Sequence, residues 1–214
     1  MNTDAILDEL RQLYPNPKPE LNFTNPYETL VATMLSAQCT DKQVNKVTPA
    51  VFARWPDAAS MAQAPLDELF PMVKSCGFKS KAGNIIAACR LLVEKHGGEV
   101  PSTMEALTAL PGVGRKTANV VLANAFHQPA IAVDTHVFRV SNRLGLASAS
   151  TVEETERQLM RAIPREDWCD AHHWLIFHGR RVCKAQRPLC AQCTLRGMCA
   201  EYRSRQADAP SAML

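Results

Sequence analysis

The chain has 214 residues, and its 24 lysines and arginines exceed its 21 aspartates and glutamates by only three. This mild excess permits binding to nucleic acid without requiring it. A chain of this length can bury a hydrophobic core without disulfides, and no apolar run is long enough to cross a membrane. Because the acidic, amphipathic N-terminus is unlike a secretion signal, we expect a protein of the cytosol or the nucleoid.

Hydrophobic residues recur at helical spacing, and no stretch sustains the alternation typical of a strand. The sequence therefore predicts an all-α protein. Residues typical of helix caps and helix breaks divide it into segments. Six helical segments are predicted with both ends: residues 4–13, Pro65 to Gly77, Ser80 to His96, Ser102 to Pro111, Asp134 to Gly145, and Asp167 to Gly179. Four more are predicted by their starts: after Asn25, after Thr40, from about Arg115, and after Thr151. Pro49 is expected to bend or end the segment that follows Thr40.

The stretch from residue 110 to residue 134 carries the strongest functional signal. It begins Leu-Pro-Gly-Val-Gly-Arg-Lys-Thr-Ala and ends Ile-Ala-Val-Asp. Gly112 and Gly114 flank Val113 in a predicted tight turn between two helices, where glycine permits positive φ and close approach of another molecule. The amides of this hairpin and the following helix N-terminus predict an anion site suited to a phosphate.

Two residues of this stretch are candidates for catalysis. Lys116 lies in the first turn of the second helix, where the positive end of the helix dipole disfavours an ammonium. It is either a phosphate-contacting or solvated lysine, or a lysine whose free amine acts as a nucleophile. Asp134 is expected to be the N-cap of the next helix, and that role does not exclude a catalytic one.

Four of the eight cysteines are clustered with the spacing C-x6-C-x2-C-x5-C, at Cys183, Cys190, Cys193 and Cys199. Four thiolates this close in sequence can surround one metal centre, and both zinc and a [4Fe-4S] cluster are candidates. The presence of only one short C-x2-C pair favours the cluster, because structural zinc often uses two. The other four cysteines are expected to be small buried residues. His172 and His173 are expected to point apart and to have a structural role.

The glycine hairpin with its lysine, the following Val-Asp-Thr-His and the cysteine spacing together resemble the endonuclease III family of helix-hairpin-helix DNA glycosylases. The resemblance extends from about residue 4 to residue 202. It implies a two-lobed, all-α fold, with a helical bundle carrying the helix-hairpin-helix motif over residues 22–130. The second lobe would be a helical iron–sulfur domain of residues 1–21 and 131–214. It also implies that the four clustered cysteines hold a [4Fe-4S] cluster.

The resemblance further implies a bifunctional enzyme that removes oxidised pyrimidines such as thymine glycol and cleaves the abasic strand by β-elimination. Lys116 would attack C1′ of the deoxyribose and form a Schiff base, while Asp134 would stabilise the cationic sugar and assist proton transfer. Gln38 and Phe78 match positions that enter the duplex when the base is extruded. The alternative for Phe78 is a hydrophobic contact at a helix end.

The expected partner is double-stranded DNA that contains oxidised pyrimidines or abasic sites. The protein is expected to bind it as a monomer and not to associate with a membrane. Gly112, Val113 and Gly114 would contact its backbone. Lys184 and Arg187 lie between the cysteines, so a cluster would fold a loop that presents them to DNA phosphates; solvated surface charges are the alternative.

Two other functions remain open from the sequence. An adenine-mismatch glycosylase would share the fold and the cluster, but it normally lacks a lysine at position 116 and carries an extra C-terminal domain. A non-catalytic, DNA-binding iron–sulfur redox sensor would suit the hairpin and the cysteines, but it gives no reason for Lys116 and Asp134 together. Strand cleavage at an abasic site would separate these possibilities.

Overall fold

The computed structural model describes residues 3–207 of the chain. Over this range the chain is helical and contains no β-strand, which confirms the all-α prediction. Within the same range no helix is long and apolar enough to span a membrane. The α-helices are α1 (Thr3–Leu13), α2 (Pro26–Ser36), α3 (Asp41–Arg54), α4 (Ala58–Ala62), α5 (Leu66–Val73), α6 (Lys79–His96), α7 (Met104–Thr108), α8 (Arg115–Phe126), α9 (Thr135–Leu144), α10 (Val152–Ala162), α11 (Trp168–Arg181) and α12 (Ala200–Ala207).

The chain divides into two units, each with its own core. Residues 19–130 form the first unit, which contains α2 to α8. Helix α2 is buried along nearly its whole length and contacts α3, α6 and α8. Leu30 and Leu35 of α2 and Ile85 of α6 are at most 1% exposed. This packing supports the C-terminal end of α2 and the N-terminal end of α6, and the candidate DNA-contacting residues lie next to these two ends.

The second unit comprises residues 3–18 and 131–207, with α1 and α9 to α12. Helix α11 contacts both α1 and α9, and its Trp174 is 1% exposed in the middle of this core. Three of the clustered cysteines, Cys183, Cys193 and Cys199, pack against the same hydrophobic cluster. The cysteine loop therefore lies on a packed core.

Several predicted helix starts have the expected side-chain cap. The side chains of Asn25, Thr40 and Thr151 accept hydrogen bonds from the amides of Glu28, Gln43 and Glu154, respectively. The cap of α7 was misplaced by one residue, because Thr103 rather than Ser102 accepts the amide of Ala106. These bonds join residues three positions apart, which is why local sequence predicts them.

The predicted helix end at Gly179 is wrong, and of the two alternatives at Pro49, a bend or an end, the end is excluded. Helix α3 continues through Pro49, because the fully buried Val44 and Val51 on either side hold it in place and their burial outweighs the roughly 3 kcal/mol cost of an internal proline. Helix α11 continues through Gly179 to Arg181. A Cβ at Gly179 would lie 3.0 Å from the Cβ of His136, so this glycine permits close packing of α9 and does not end the helix.

The adjacent histidines of α11 do not point apart as predicted. The rings of His172 and His173 are in edge contact, with centroids 4.9 Å apart, and both side chains are buried. Burial lowers the pKa of His173 to about 3, so this ring is neutral at physiological pH. Their contribution is to the packing of the second unit, which agrees with the structural role expected for them.

Candidate functional site

The glycine hairpin between α7 and α8 is anchored by two buried side chains. Leu110 is 2% exposed and Val113 is 6% exposed, and the amide of Val113 donates to the carbonyl of Leu110 at 3.1 Å. Because the side chain of Val113 faces the core, this residue can offer only its backbone to a ligand. The hairpin is therefore a rigid backbone surface, with Gly112 and Gly114 exposed on it.

The two hairpin glycines have different roles. Gly112 has φ of 76°, and a Cβ there would lie 2.8 Å from the Cβ of Asn84 in α6, so both the turn and the packing require glycine. Gly114 has φ of −91°, contrary to the idea that both glycines permit the turn by positive φ. Apart from Gly114 itself and its two neighbours in the chain, no described residue has an atom within 4 Å of where its Cβ would be. Gly114 thus leaves open space in front of the helix that follows.

Lys116 is exposed in the first turn of α8. Its N-cap residue, Gly114, has no side chain with which to cap the helix. Backbone amides at such a terminus point along the helix axis and favour an anion. The first unit therefore presents a primary amine beside a backbone surface suited to a phosphate, as DNA binding requires.

Asp134 belongs to the second unit and caps α9. Its Oδ1 accepts the amides of His136 and Val137, each at 2.8 Å, which confirms the predicted N-cap. The cap uses one carboxylate oxygen, and the side chain remains partly exposed. The ring of His136 lies against Arg139, with Nδ1 at 3.1 Å from Nη2 of the guanidinium. The structure therefore gives the Asp134 carboxylate a fixed position and leaves its second oxygen outside the cap.

The two candidate wedge residues lie at the surface of the first unit. Gln38 follows α2 with φ of 57° and is exposed. Phe78 precedes α6 and is 81% exposed, more than any other large hydrophobic side chain in the described range. This exposure contradicts the alternative of a buried contact at a helix end. Leaving a phenylalanine in water forgoes roughly 2 kcal/mol of burial, a cost that suits a side chain that packs against a ligand.

The four clustered cysteines line one cavity, which encloses about 450 Å³ of empty space including its open side. Burial raises the pKa of the Cys193 thiol, and the neighbouring Cys183, Cys199 and Cys190 raise it further, as expected of sulfurs close enough to interact. Yet among the described residues no three His, Cys, Asp or Glu side chains are arranged to hold a single metal ion.

Two side chains that the sequence did not indicate support this cavity. Arg143 donates to Sγ of Cys183 at 3.7 Å and to the carbonyl of Lys184 at 2.8 Å, while Sγ of Cys199 donates to the carbonyl of Arg143 at 3.1 Å. His178 places Nε2 at 3.5 Å from Sγ of Cys193. Arg143 and His178 come from α9 and α11. Nothing in the local pattern around the cysteines indicates them.

The ring of His178 also connects the cavity to α1. Its Nδ1 lies 3.1 Å from the hydroxyl of Tyr14. Burial lowers the pKa of His178 to about 4, so the ring is neutral at physiological pH and has one donor and one acceptor nitrogen. If Tyr14 donates to Nδ1, Nε2 carries the proton and can donate to a thiolate of Cys193. This arrangement suits a deprotonated, metal-bound cysteine.

Comparison with known proteins places these features in one family. Residues 31–165 match the model of the HhH-GPD superfamily base excision DNA repair proteins. The endonuclease III protein of Escherichia coli K12 is 48% identical to the chain, over 94% of the chain and 95% of the relative. The endonuclease III protein of Bacillus subtilis is 49% identical, over 94% of the chain and 93% of the relative. A solved structure of a trapped endonuclease III–DNA covalent intermediate superimposes with a TM-score of 0.90 at 46% identity, covering 96% of this chain and 99% of that one. The chain therefore belongs to the endonuclease III family, as its hairpin and cysteine spacing led us to expect.

Proposed function

We propose that this base excision repair enzyme removes oxidised pyrimidines of the thymine glycol type from double-stranded DNA and then cuts the abasic strand. Membership of the endonuclease III family makes the chain a DNA glycosylase and AP lyase. The finer assignment rests chiefly on Lys116, an exposed primary amine in the first turn after the glycine hairpin. The matched relatives favour neither the adenine-mismatch glycosylase nor the redox sensor.

The proposed reaction uses Lys116 as the nucleophile. The lone pair of its Nζ attacks C1′, and the glycosidic bond breaks so that its electron pair leaves with the base, which takes up a proton. The sugar ring then opens to a Schiff base between Nζ and C1′. Loss of a proton from C2′ expels the 3′ phosphate and cuts the strand. Asp134 stabilises the cationic sugar and assists proton transfer. A relative trapped as a covalent intermediate with DNA supports this route.

The proposed DNA contacts come from surfaces of both units. The backbone of Gly112, Val113 and Gly114 binds a phosphate, supported by the open hairpin. Gln38 and Phe78 enter the duplex where the base has been extruded, supported by the exposure of both side chains. Lys184 and Arg187 are exposed in the cysteine loop and contact phosphates.

We also propose that the cysteine cavity holds a [4Fe-4S] cluster, which would organise the loop and need not react. Cys183, Cys190, Cys193 and Cys199 would each bind one iron. A cubane keeps its four thiolates farther apart than the roughly 2.3 Å zinc–sulfur bonds of a single tetrahedral ion allow. The four side chains line one cavity and include a single C-x2-C pair, which supports the cluster over zinc.

The chain's substrate is tested with duplexes that carry thymine glycol, an abasic site, or adenine opposite an oxidised guanine. We expect strand cleavage on the first two, because Lys116 provides the lyase nucleophile. We expect no adenine release from the third, because the proposed substrates are oxidised pyrimidines. Product ends on a denaturing gel should show 3′ unsaturated aldehydes. Base removal from thymine glycol without strand cleavage would contradict the lyase, and cleavage of neither substrate would exclude the proposed function.

The cluster is tested on the purified, natively folded chain. We expect iron and acid-labile sulfide at about four each per chain, with visible absorbance from the cluster. Cys199→Ser should lose that absorbance, since it removes one ligand. Cys169→Ser should keep it, because Cys169 lies in α11 outside the cavity. About one zinc per chain without iron would contradict the assignment.

We further propose that the two units correspond to the two lobes of the family's fold. Their boundaries lie after residues 18 and 130, against the sequence-based expectation of boundaries after residues 21 and 130. The enzyme would act as a monomer on DNA of the cytoplasmic nucleoid.

A further inference from the structure

The ammonium of Lys81 joins two surface loops of the first unit. Its Nζ donates to the carbonyls of Leu35 at 3.0 Å and Ala37 at 2.5 Å, at the C-terminal end of α2. It also donates to the carbonyl of Cys76 at 2.6 Å, in the turn that precedes α6. An ammonium has three N–H donors, so these three backbone carbonyls use all of them.

These carbonyls flank the two candidate wedge residues. Ala37 directly precedes Gln38, and Cys76 is separated from Phe78 by Gly77 alone. We propose that Lys81 is a positioning residue for DNA opening, which fixes the backbones of Gln38 and Phe78 relative to one another so that both enter the duplex together. This inference rests on the proposed function, since it takes these two side chains to be the wedge.

The backbone around Lys81 is shaped to admit its side chain. Gly77 has φ of 144°, and a Cβ there would lie 3.0 Å from Nζ and 3.1 Å from Cε of Lys81. A glycine between Cys76 and Phe78 therefore leaves room for the lysine to pass and reach the carbonyls of α2. The backbone conformation favours glycine here, and a Cβ would displace the end of the neighbouring lysine by a few tenths of an ångström.

Electrostatics favour the ammonium in this position. The C-terminal end of a helix carries partial negative charge on its unpaired carbonyls, and Lys81 binds two carbonyls at the end of α2. Burial lowers the pKa of Lys81, whereas the nearby Cys39 and Cys76 raise it. The charge is thus partly withdrawn from water and directed at backbone oxygens.

The contacts of Phe78 explain why such a support is needed. With 81% of its surface exposed, the ring has little packing of its own to hold it in place. A second bond joins the same region, from Nε2 of Gln43 in α3 to Oγ of Ser75 at 2.7 Å. That bond is exposed and involves side chains alone, whereas Lys81 bonds directly to the backbone beside each wedge residue.

The test compares Lys81→Met with the wild-type chain and with Lys95→Met. Lys95 is an exposed lysine of the same helix, and the rise of an α-helix places it about 21 Å from residue 81. We expect Lys81→Met to lower the single-turnover rate on a thymine glycol duplex by about 10- to 100-fold, since misplacing reacting groups by an ångström can cost that much. Lys95→Met should match the wild type.

Two further readouts separate positioning from a general structural role. With 2-aminopurine opposite the lesion, wild-type binding should raise the fluorescence by unstacking the base, and Lys81→Met should reduce that rise. In a chain that already carries Gln38→Ala and Phe78→Ala, Lys81→Met should change the rate by less than about twofold, because residues acting through one another are not additive. Lys81→Gln, a milder change, should show the same pattern if the methionine variant folds poorly.

The outcomes distinguish the two levels of inference. If Gln38→Ala with Phe78→Ala impairs the chain but Lys81→Met leaves rate and fluorescence unchanged, the positioning role is wrong and the wedge stands. The positioning role is also wrong if Lys81→Met lowers the rate equally in both backgrounds. If the chain lacking both wedge side chains matches the wild type, the wedge assignment itself fails.

Discussion

Replacing Lys116 with glutamine is expected to eliminate the borohydride-trapped DNA adduct and to lower strand cleavage at thymine glycol by at least about 10³-fold. The amide is similar in size but has no nucleophilic lone pair. Because Lys116 is exposed, its replacement should leave the fold intact. Trapping is measured on a denaturing protein gel, and mass spectrometry of the digested wild-type adduct should place the nucleotide on the peptide that contains residue 116.

Lys95→Gln is the matched control, since it removes an exposed lysine of the same unit and should trap DNA as the wild type does. Binding of lesion-containing DNA by Lys116→Gln should persist, because the hairpin backbone is unchanged. Normal trapping by Lys116→Gln, or a nucleotide attached to another peptide, would overturn the proposed mechanism.

Replacing Asp134 with asparagine is expected to slow base release by about 10² to 10⁴-fold while changing lesion binding only a few-fold. Asparagine keeps an oxygen that can accept the amides of His136 and Val137, so the start of α9 should persist. The substitution removes the charge that would stabilise the cationic sugar. Single-turnover glycosylase rates and equilibrium binding to the same duplex measure the two effects separately.

Two variants separate capping from catalysis at this position. Asp134→Ala removes both the cap and the charge, and the lost cap should cost about 1 kcal/mol of stability. Thr151→Ala removes the cap of α10 in the same unit, at a similar cost and without any expected effect on the rate. If Asp134→Asn reacts at the wild-type rate while Asp134→Ala is slow, the carboxylate acts only as a cap.

Several elements of the fold follow from short stretches of sequence. Asn25, Thr40, Asp134 and Thr151 cap helices as predicted, because each cap closes within three residues. The hairpin glycines lie between two helices for the same local reason. The identity of the family also came from short patterns, since the lysine after the hairpin and the cysteine spacing are each contained in a single stretch.

Other features depend on residues far apart in the chain. Pro49 and Gly179 lie inside helices, although each is a typical helix breaker, because packing around them outweighs local preference. The ring contact of His172 and His173 likewise reflects their burial in the second unit. In each case, packing against other elements contributed more to the free energy of folding than the local preference that the prediction used.

Local sequence thus specified where several helices start, and it is the source of the proposed metal ligands and nucleophile, because each depends on neighbours within a turn or a short loop. It did not specify that Arg143 and His178 contact the cysteines, or that Lys81 connects the loops of Gln38 and Phe78. Those contacts form only when helices pack, and they join positions as many as 56 residues apart. Periodicity and caps describe one element at a time, so they carry no information about which side chain reaches across to another.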